Sequence, residues 1–322
     1  MKVGLPAGKY VVGVSGGVDS VALLHLLVQK GQSIGTSNQS TVQKRKKTGD
    51  WRLGTSDSMS RRLIVAHFNH GIRPDSAKDE EFVRQLAKKY GLPFESGRGH
   101  LGASASEETA RVARYKFLNR VKEKHRAKSI ITAHHQDDLI ETALLNLLRG
   151  TGRRGLTALA QNPDVIRPLL NVPKIELLRY AKTNNLKWRE DETNQDDKYL
   201  RNYIRKYLLP KLSKVKRQKL VLDLGKLTEV NSIINDEIAK LSQIIAKNGR
   251  INRSRFALLP SEIGSEVLMR ELRRKGVRQF DKKAIERLSL AVKTAQPGTK
   301  HDVKGGLALQ IGSDSVHFTT GD

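Results

Sequence analysis

The stretch Ser15-Gly16-Gly17-Val18-Asp19-Ser20 sets two hydroxyls, two adjacent glycines and a carboxylate between an apolar run and a helix-like apolar pattern. A strand that ends in a glycine-rich turn and enters a helix presents backbone N–H groups and the positive helix end to whatever lies above the sheet. Such a turn is an anion cradle. Two familiar phosphate patterns fail here: no lysine follows the glycines, as G-x-x-x-x-G-K-[ST] requires, and G-x-G-x-x-G is not matched. A carboxylate beside a phosphate is unfavourable unless a divalent cation lies between them, so the loop implies Mg2+ with Asp19 as its ligand. An ordinary strand-to-helix turn would explain the glycines and leave Ser15, Asp19 and Ser20 without a reason.

Other residues have spacing that suits chemistry. Asp138 and Glu141 lie three apart in a helical pattern, and Asp137 and Glu141 four apart, so each pair shares a face. The plain alternative is first-turn acids that favour the helix dipole, worth about 0.3–1 kcal/mol. Arg111 and Arg114, also three apart, present guanidinium forks able to hold phosphate or a developing negative charge. Solvated surface is the commoner fate of an arginine on a basic chain. His67, His70, His134 and His135 gather at two expected strand ends, where some would only pack or cap. Arg201 and Arg205 are placed to reach a triphosphate or RNA, with packing on Asp196 or Asp197 as the rival. No zinc site is expected, because the H-E-x-x-H spacing is absent.

Alternating elements must position these groups. Periodicity and turn signals predict strands at 9–14, 62–67, 93–96 and 128–133, and helices at 18–29, 75–90, 104–125 and 137–148. A Ser104-x-x-Glu107 capping box would open the third helix. Strands alternating with helices of this length mean a parallel sheet covered on both faces. Residues 165–170 (VIRPLL) read as strand-like, followed by a helix with Pro173 near its start, an acidic turn over 190–197 and the run 201–212. Residues 31–60, with KRKK at 44–47, read as an exposed insertion. After about 212 the character changes: a helical stretch over 214–248, then two helices and a glycine-punctuated, strand-like end. The expected fold is α/β, a Rossmann-like parallel sheet over 1–212, with a smaller, mostly helical α+β domain over 213–322.

The 322 residues carry 59 Lys+Arg against 33 Asp+Glu, a net charge of +26. That excess, with a pI near 10.3, suits a partner rich in phosphate, nucleic acid first. The longest apolar stretches fall short of the roughly 18 to 20 residues a membrane span needs, and no signal-like segment opens the chain. A cytoplasmic protein with no membrane partner is expected. There is no cysteine, which excludes disulfides, thiolate metal sites, iron–sulfur clusters and cysteine nucleophiles.

SGGVDS resembles the pyrophosphate loop of the N-type ATP pyrophosphatases, which cleave ATP between its α and β phosphates. Further stretches narrow the resemblance: HFNHGIR at 67–73, ARVARY at 110–115, TAHHQDDLIET at 132–142, IRPLL at 166–170 and EDETNQDDKYLRNYIR at 190–205. In this order they are similar to the tRNA(Ile)-lysidine synthetase family across most of 9–212. The 31–60 insertion is long for that family, and the C-terminal part is short, like members that lack a second C-terminal domain.

The resemblance implies that ATP and Mg2+ are used. Ser15, Gly16, Gly17, Val18, Asp19, Ser20, His67, Asn69 and Arg111 would lie around the nucleotide. Cytidine 34 of the CAU anticodon of tRNA(Ile) would be adenylated and then attacked by the side-chain amine of free L-lysine. Neutralising an ammonium of pKa about 10.4 at pH 7 costs about 4.6 kcal/mol, so a carboxylate must hold the amine and take its proton. Asp138 and Glu141 are assigned that task, Arg114 the charge on the adenylate, and His134 a place near ATP or the cytidine. tRNA would be held by shape and backbone contacts, with 213–322 as a C-terminal tRNA-binding domain entered through a helical linker, basic residues spread through 206–226 and 270–304, and a homodimer left open as the assembly. Rivals are a tRNA thiolase, which the absence of cysteine disfavours, an inactive RNA-binding protein, and a small-metabolite pyrophosphatase, which leaves the +26 unexplained.

Overall fold

The computed structural model of the chain describes residues 5–36, 62–71, 76–99, 106–161, 164–189, 200–277, 281–303 and 305–320. Most of the expected insertion, KRKK at 44–47, Ile72, Arg73, Ser104 and the acidic turn at 190–197 lie outside the described residues. The chain folds as two units, Met1–Leu227 and Thr228–Asp322.

In the first unit β1 (Tyr10–Gly13), β2 (Leu63–Asn69), β3 (Phe94–Arg98), β4 (Ser129–Ile131) and β5 (Val165–Ile166) form a sheet in the order β3-β2-β1-β4-β5. Every pairing is parallel. Its helices are α1 (Val18–Thr36), α2 (Ser76–Lys89), α3 (Glu107–Lys124), α4 (Gln136–Leu148), α5 (Arg153–Leu156), α6 (Lys174–Thr183) and α7 (Leu200–Tyr203), which runs into a π-helical turn over Ile204–Leu208.

β1 is apolar on both faces because both faces are covered. Tyr10, Val12 and Val14 share a core with Leu23, Leu24 and Leu27 of α1, Val83 and Ala87 of α2 and Leu177 of α6. Val11 points the other way, into a core with Phe117, Leu118 and Val121 of α3. From β1 the chain turns towards β2 on one side and later returns to β4 on the other. That reversal opens a crevice at the carboxyl ends of β1 and β4, where the glycine loop and the segment after β4 meet.

Some boundaries differ from the sequence reading. α1 extends to Thr36. The N-cap of α3 is Ser106, whose Oγ accepts from the Thr109 N–H at 3.1 Å, in place of the expected Ser104. β5 stops after two residues, where Pro168 offers no N–H to prolong a ladder.

The unit boundary falls inside α8 (Lys214–Ile245). The second unit adds β6 (Ala246–Lys247), β7 (Arg250–Asn252), α9 (Arg253–Ala257), α10 (Ser261–Arg274), α11 (Lys282–Thr294), β8 (Lys300–Val303), β9 (Leu307–Ile311) and β10 (Ser315–Thr320). Its antiparallel sheet, ordered β6-β7-β10-β9-β8, shares a core with the helices through Phe256, Leu268, Leu272, Leu288 and Leu309. The sequence pattern anticipates two helices and a strand-like end here. It misses α9 and the β6–β7 hairpin, whose Asn248 and Gly249 both have positive φ (52° and 75°), as a tight two-residue hairpin turn requires.

Candidate active site

The loop after β1 is braced by its own hydroxyls. Gly16 has φ +97°, a conformation that side chains oppose. The Gly16 N–H donates to Ser20 Oγ at 3.2 Å, Ser20 Oγ donates to the Gly17 carbonyl at 2.9 Å, and the Ser15 and Ser20 hydroxyls lie 3.2 Å apart. The Arg189 backbone N–H closes on the Gly16 carbonyl at 3.0 Å. Val18 and Asp19 then open α1, so the positive helix end faces the crevice.

Asp19 is the point of convergence. Its Oδ2 lies 3.5 Å from His135 Nε2 and 3.6 Å from Lys174 Nζ, while its Oδ1 is buried with no hydrogen-bond partner. Burial alone would raise the Asp19 pKa, but His135 and Lys174 outweigh it and hold the carboxyl below its ordinary value. His135 caps α4. Burial works against its charge, yet Asp19 and Asp138 together raise its pKa. Asp138 Oδ2 accepts from the His135 backbone N–H at 2.9 Å and lies 3.4 Å from its Nδ1. Asp19, His135 and Asp138 thus form a continuous row across the crevice.

His134 differs from its neighbour. Its Nδ1 pairs with Thr132 Oγ1 at 2.8 Å, and burial, reinforced by Arg167, Arg114 and Arg111, pushes its pKa down to about 3. His134 is therefore a neutral imidazole at pH 7. Arg111 and Arg114 flank Tyr115, with guanidinium carbons 5.1 and 5.6 Å from the ring centre.

Glu141 is only 2 % exposed. Arg201 Nε lies 2.7 Å from Oε1 and Arg205 Nε 3.0 Å from Oε2. Burial pushes the carboxyl up to about 7, against the pull of Arg205 and with Asp138 adding to the rise. The two arginines therefore meet this carboxylate, a pairing that the sequence pattern does not announce. Asp137 is tied elsewhere: it accepts from the Lys174 backbone N–H at 3.4 Å and from Arg217 Nη1 at 3.1 Å.

At the end of β2, His67 Nδ1–H donates to the Val14 carbonyl at 2.8 Å, which leaves Nε2 as an acceptor. Burial lowers its pKa. Asn69 Oδ1 accepts from the Gly71 N–H at 2.9 Å and so shapes the turn that follows. Sequence reasoning missed Lys174 and Arg167, and singled out His135 only as one of four histidines. Lys174 supplies the cation that the glycine loop lacks, but it enters from α6, and no local spacing announces it.

A search of known families matches the PP-loop domain over residues 2–212. Among curated relatives, tRNA(Ile)-lysidine synthase of Legionella pneumophila (strain Paris) is 36 % identical over 210 residues, 63 % of this chain and 42 % of the relative. The enzyme of that name from Thermus thermophilus is 37 % identical over 214 residues, 64 % and 36 % of the two chains. The one from Deinococcus deserti is 30 % identical over 316 residues, 96 % and 52 %. The chain thus spans about half or less of the length of these relatives. Among solved structures, the U34-tRNA thiolase NcsA from Methanococcus maripaludis with its [4Fe-4S] cluster shares the fold, with a TM-score of 0.51 and 19 % identity, covering 69 % of this chain and 73 % of that one. A glycine loop at a sheet's switch point, an aspartate on its first helical turn and a family match over residues 2–212 agree: the chain belongs to the PP-loop domain family.

Proposed function

We propose that this chain catalyses ATP-dependent lysidine formation on tRNA(Ile). The observation that carries the reading is the convergence of Asp19, Lys174, His135 and Asp138 at the carboxyl ends of β1 and β4. The names of the relatives supply the substrate class. The loop N–H groups and Lys174 suit the outer phosphates of ATP. The C2 carbonyl oxygen of cytidine 34 would attack the α-phosphorus and release pyrophosphate. The lysine amine would then displace AMP at C2, and a carboxylate would take the proton.

Asp19 fits a magnesium ion, because its buried Oδ1 is a hard donor with no partner while Oδ2 is engaged. Among the described residues no group of three or more His, Asp or Glu could hold a metal, so phosphate oxygens and water would complete the shell. The ion would neutralise charge on the phosphates. Of the proposed amine-binding pair, Asp138 is the more accessible, with its side chain 23 % exposed against 3 % for Glu141. Glu141 reaches an amine by exchanging Arg201 or Arg205 for it.

The test is pyrophosphate release. It should require ATP, L-lysine and CAU-bearing tRNA(Ile) together, and Asp19→Asn should lower it by roughly a hundredfold or more, the scale on which losing a pre-organised electrostatic contact is felt. Release with any other tRNA alone, or full activity in D19N, defeats the proposal. A cluster-dependent thiolase reading finds no cysteine in this chain.

A further inference from the structure

We propose that Arg111, Arg114 and Arg167 form a second phosphate-ester site, separate from the loop after β1, that grips the RNA backbone beside the nucleotide being modified. The inference rests on the proposed function only for the identity of the RNA.

The first observation is an imbalance of charge. Four other arginines of this unit meet acids: Arg201 and Arg205 hold Glu141, Arg217 holds Asp137, and Arg189 holds Asp79. Among the described residues no carboxylate pairs with Arg111, Arg114 or Arg167. Arg167 donates from Nη1 to the Val165 carbonyl at 3.3 Å, yet its Nε is buried with no hydrogen-bond partner. Burial works most strongly against the charges of Arg114 and Arg167, the neighbouring charge of Arg111 adds to it, and Tyr115 offsets only part. Like charges that are buried together and meet no acid among the described residues cost stability, and an arriving anion would offset that cost.

The second observation is location. Arg167 directly follows β5, and His134 stands three residues past the end of β4, so the cluster lies at the carboxyl edge of the sheet, where ligands bind. The loop after β1 has its own cations in Lys174 and His135. Guanidinium forks match the paired oxygens of a phosphate ester, and neutral His134 adds no competing charge. The innermost phosphate of ATP shares this chemistry, so the two sources must be separated by experiment.

Arg167→Gln and Arg167→Lys, made in the full chain, are compared with the parent for binding to ATP alone and to an anticodon stem-loop RNA alone. R167Q should weaken RNA binding by about tenfold or more, leave ATP binding within about twofold, and lower the slope of affinity against salt by about one charge. R167K should recover part of the loss. Inorganic phosphate should raise the melting temperature of the parent more than that of R167Q. Weaker ATP binding with unchanged RNA binding overturns the RNA assignment and gives the three arginines to the nucleotide. A parent that binds both ligands, with variants indistinguishable from it, overturns this site and leaves the proposed function standing. A parent that binds no RNA overturns the proposed function first, and this proposal with it.

Discussion

Glu141 concentrates the opposing charges of the site, since burial favours its neutral form while two arginines favour its anion. Its folded pKa of about 7 lies above the ordinary 4.5. Between those values the folded chain holds a proton that the unfolded chain has lost, so this group's contribution to stability declines as pH rises through that window. Arg205→Gln removes a cation that lowers the value, so the titration should move above 7. A lysine-transfer step that needs the anion should show its acid-side inflection moving upward with it. Rate profiles of transfer to pre-adenylated tRNA check this, and an inflection unmoved by R205Q would assign the titration to another group. The residues of the glycine loop were legible because they are contiguous and their types conflict with a plain turn. Asp138 and Glu141 were legible from helical spacing. Lys174 and Arg167 were not, because each enters the site from a segment remote in sequence, and only the sheet order brings them there.

Elements were legible where burial on two faces leaves an unbroken apolar run, as in β1, β2 and β4. They were poorly legible where a short pairing is decided by its partner. β5 has two residues, and β6 and β7 are recognisable only from Asn248-Gly249. The cap of α3 falls two residues later than the pattern suggests, because Ser104 and Ser106 both precede the helix. The approach of α3 to β3 depends on Gly97. A Cβ there would lie 2.4 Å from Phe117 Cδ2 and 2.7 Å from Cε2, and that ring is 5 % exposed and lies tilted against Phe68, 5.6 Å between centres. Gly97→Ala should therefore cost about 1–3 kcal/mol and, by displacing the helix that carries Arg111 and Arg114, weaken substrate binding. Thermal unfolding checks the first effect. Adding Phe117→Leu should return part of the loss, whereas strictly additive losses would show that the two residues do not press on each other.

At the scale of the whole molecule the charge is unevenly shared. Residues 228–322 hold 16 Lys+Arg against 11 Asp+Glu, a net +5, so 21 of the 26 net positive charges belong to residues 1–227. Basic residues crowd 206–226 and again 270–304 of the sequence, but the field that attracts a polyanion is strongest in the unit that holds the glycine loop. Lys214, Lys216, Lys219 and Lys226 are all exposed on the first half of α8, and Lys247, Lys282, Lys283 and Lys300 form an equally exposed set in the second unit. Replacing either set with glutamine removes four charges, so a response to net charge alone would be the same for both. If about six to ten phosphates are contacted, parental affinity for tRNA should fall roughly a thousandfold or more between about 50 and 200 mM salt. The α8 set should weaken binding more than the second-unit set and flatten the salt dependence further, with ATP affinity unchanged in both. Equal losses would reduce the charge to a general attraction, and a larger loss from the second-unit set would return the main RNA contact to residues 228–322.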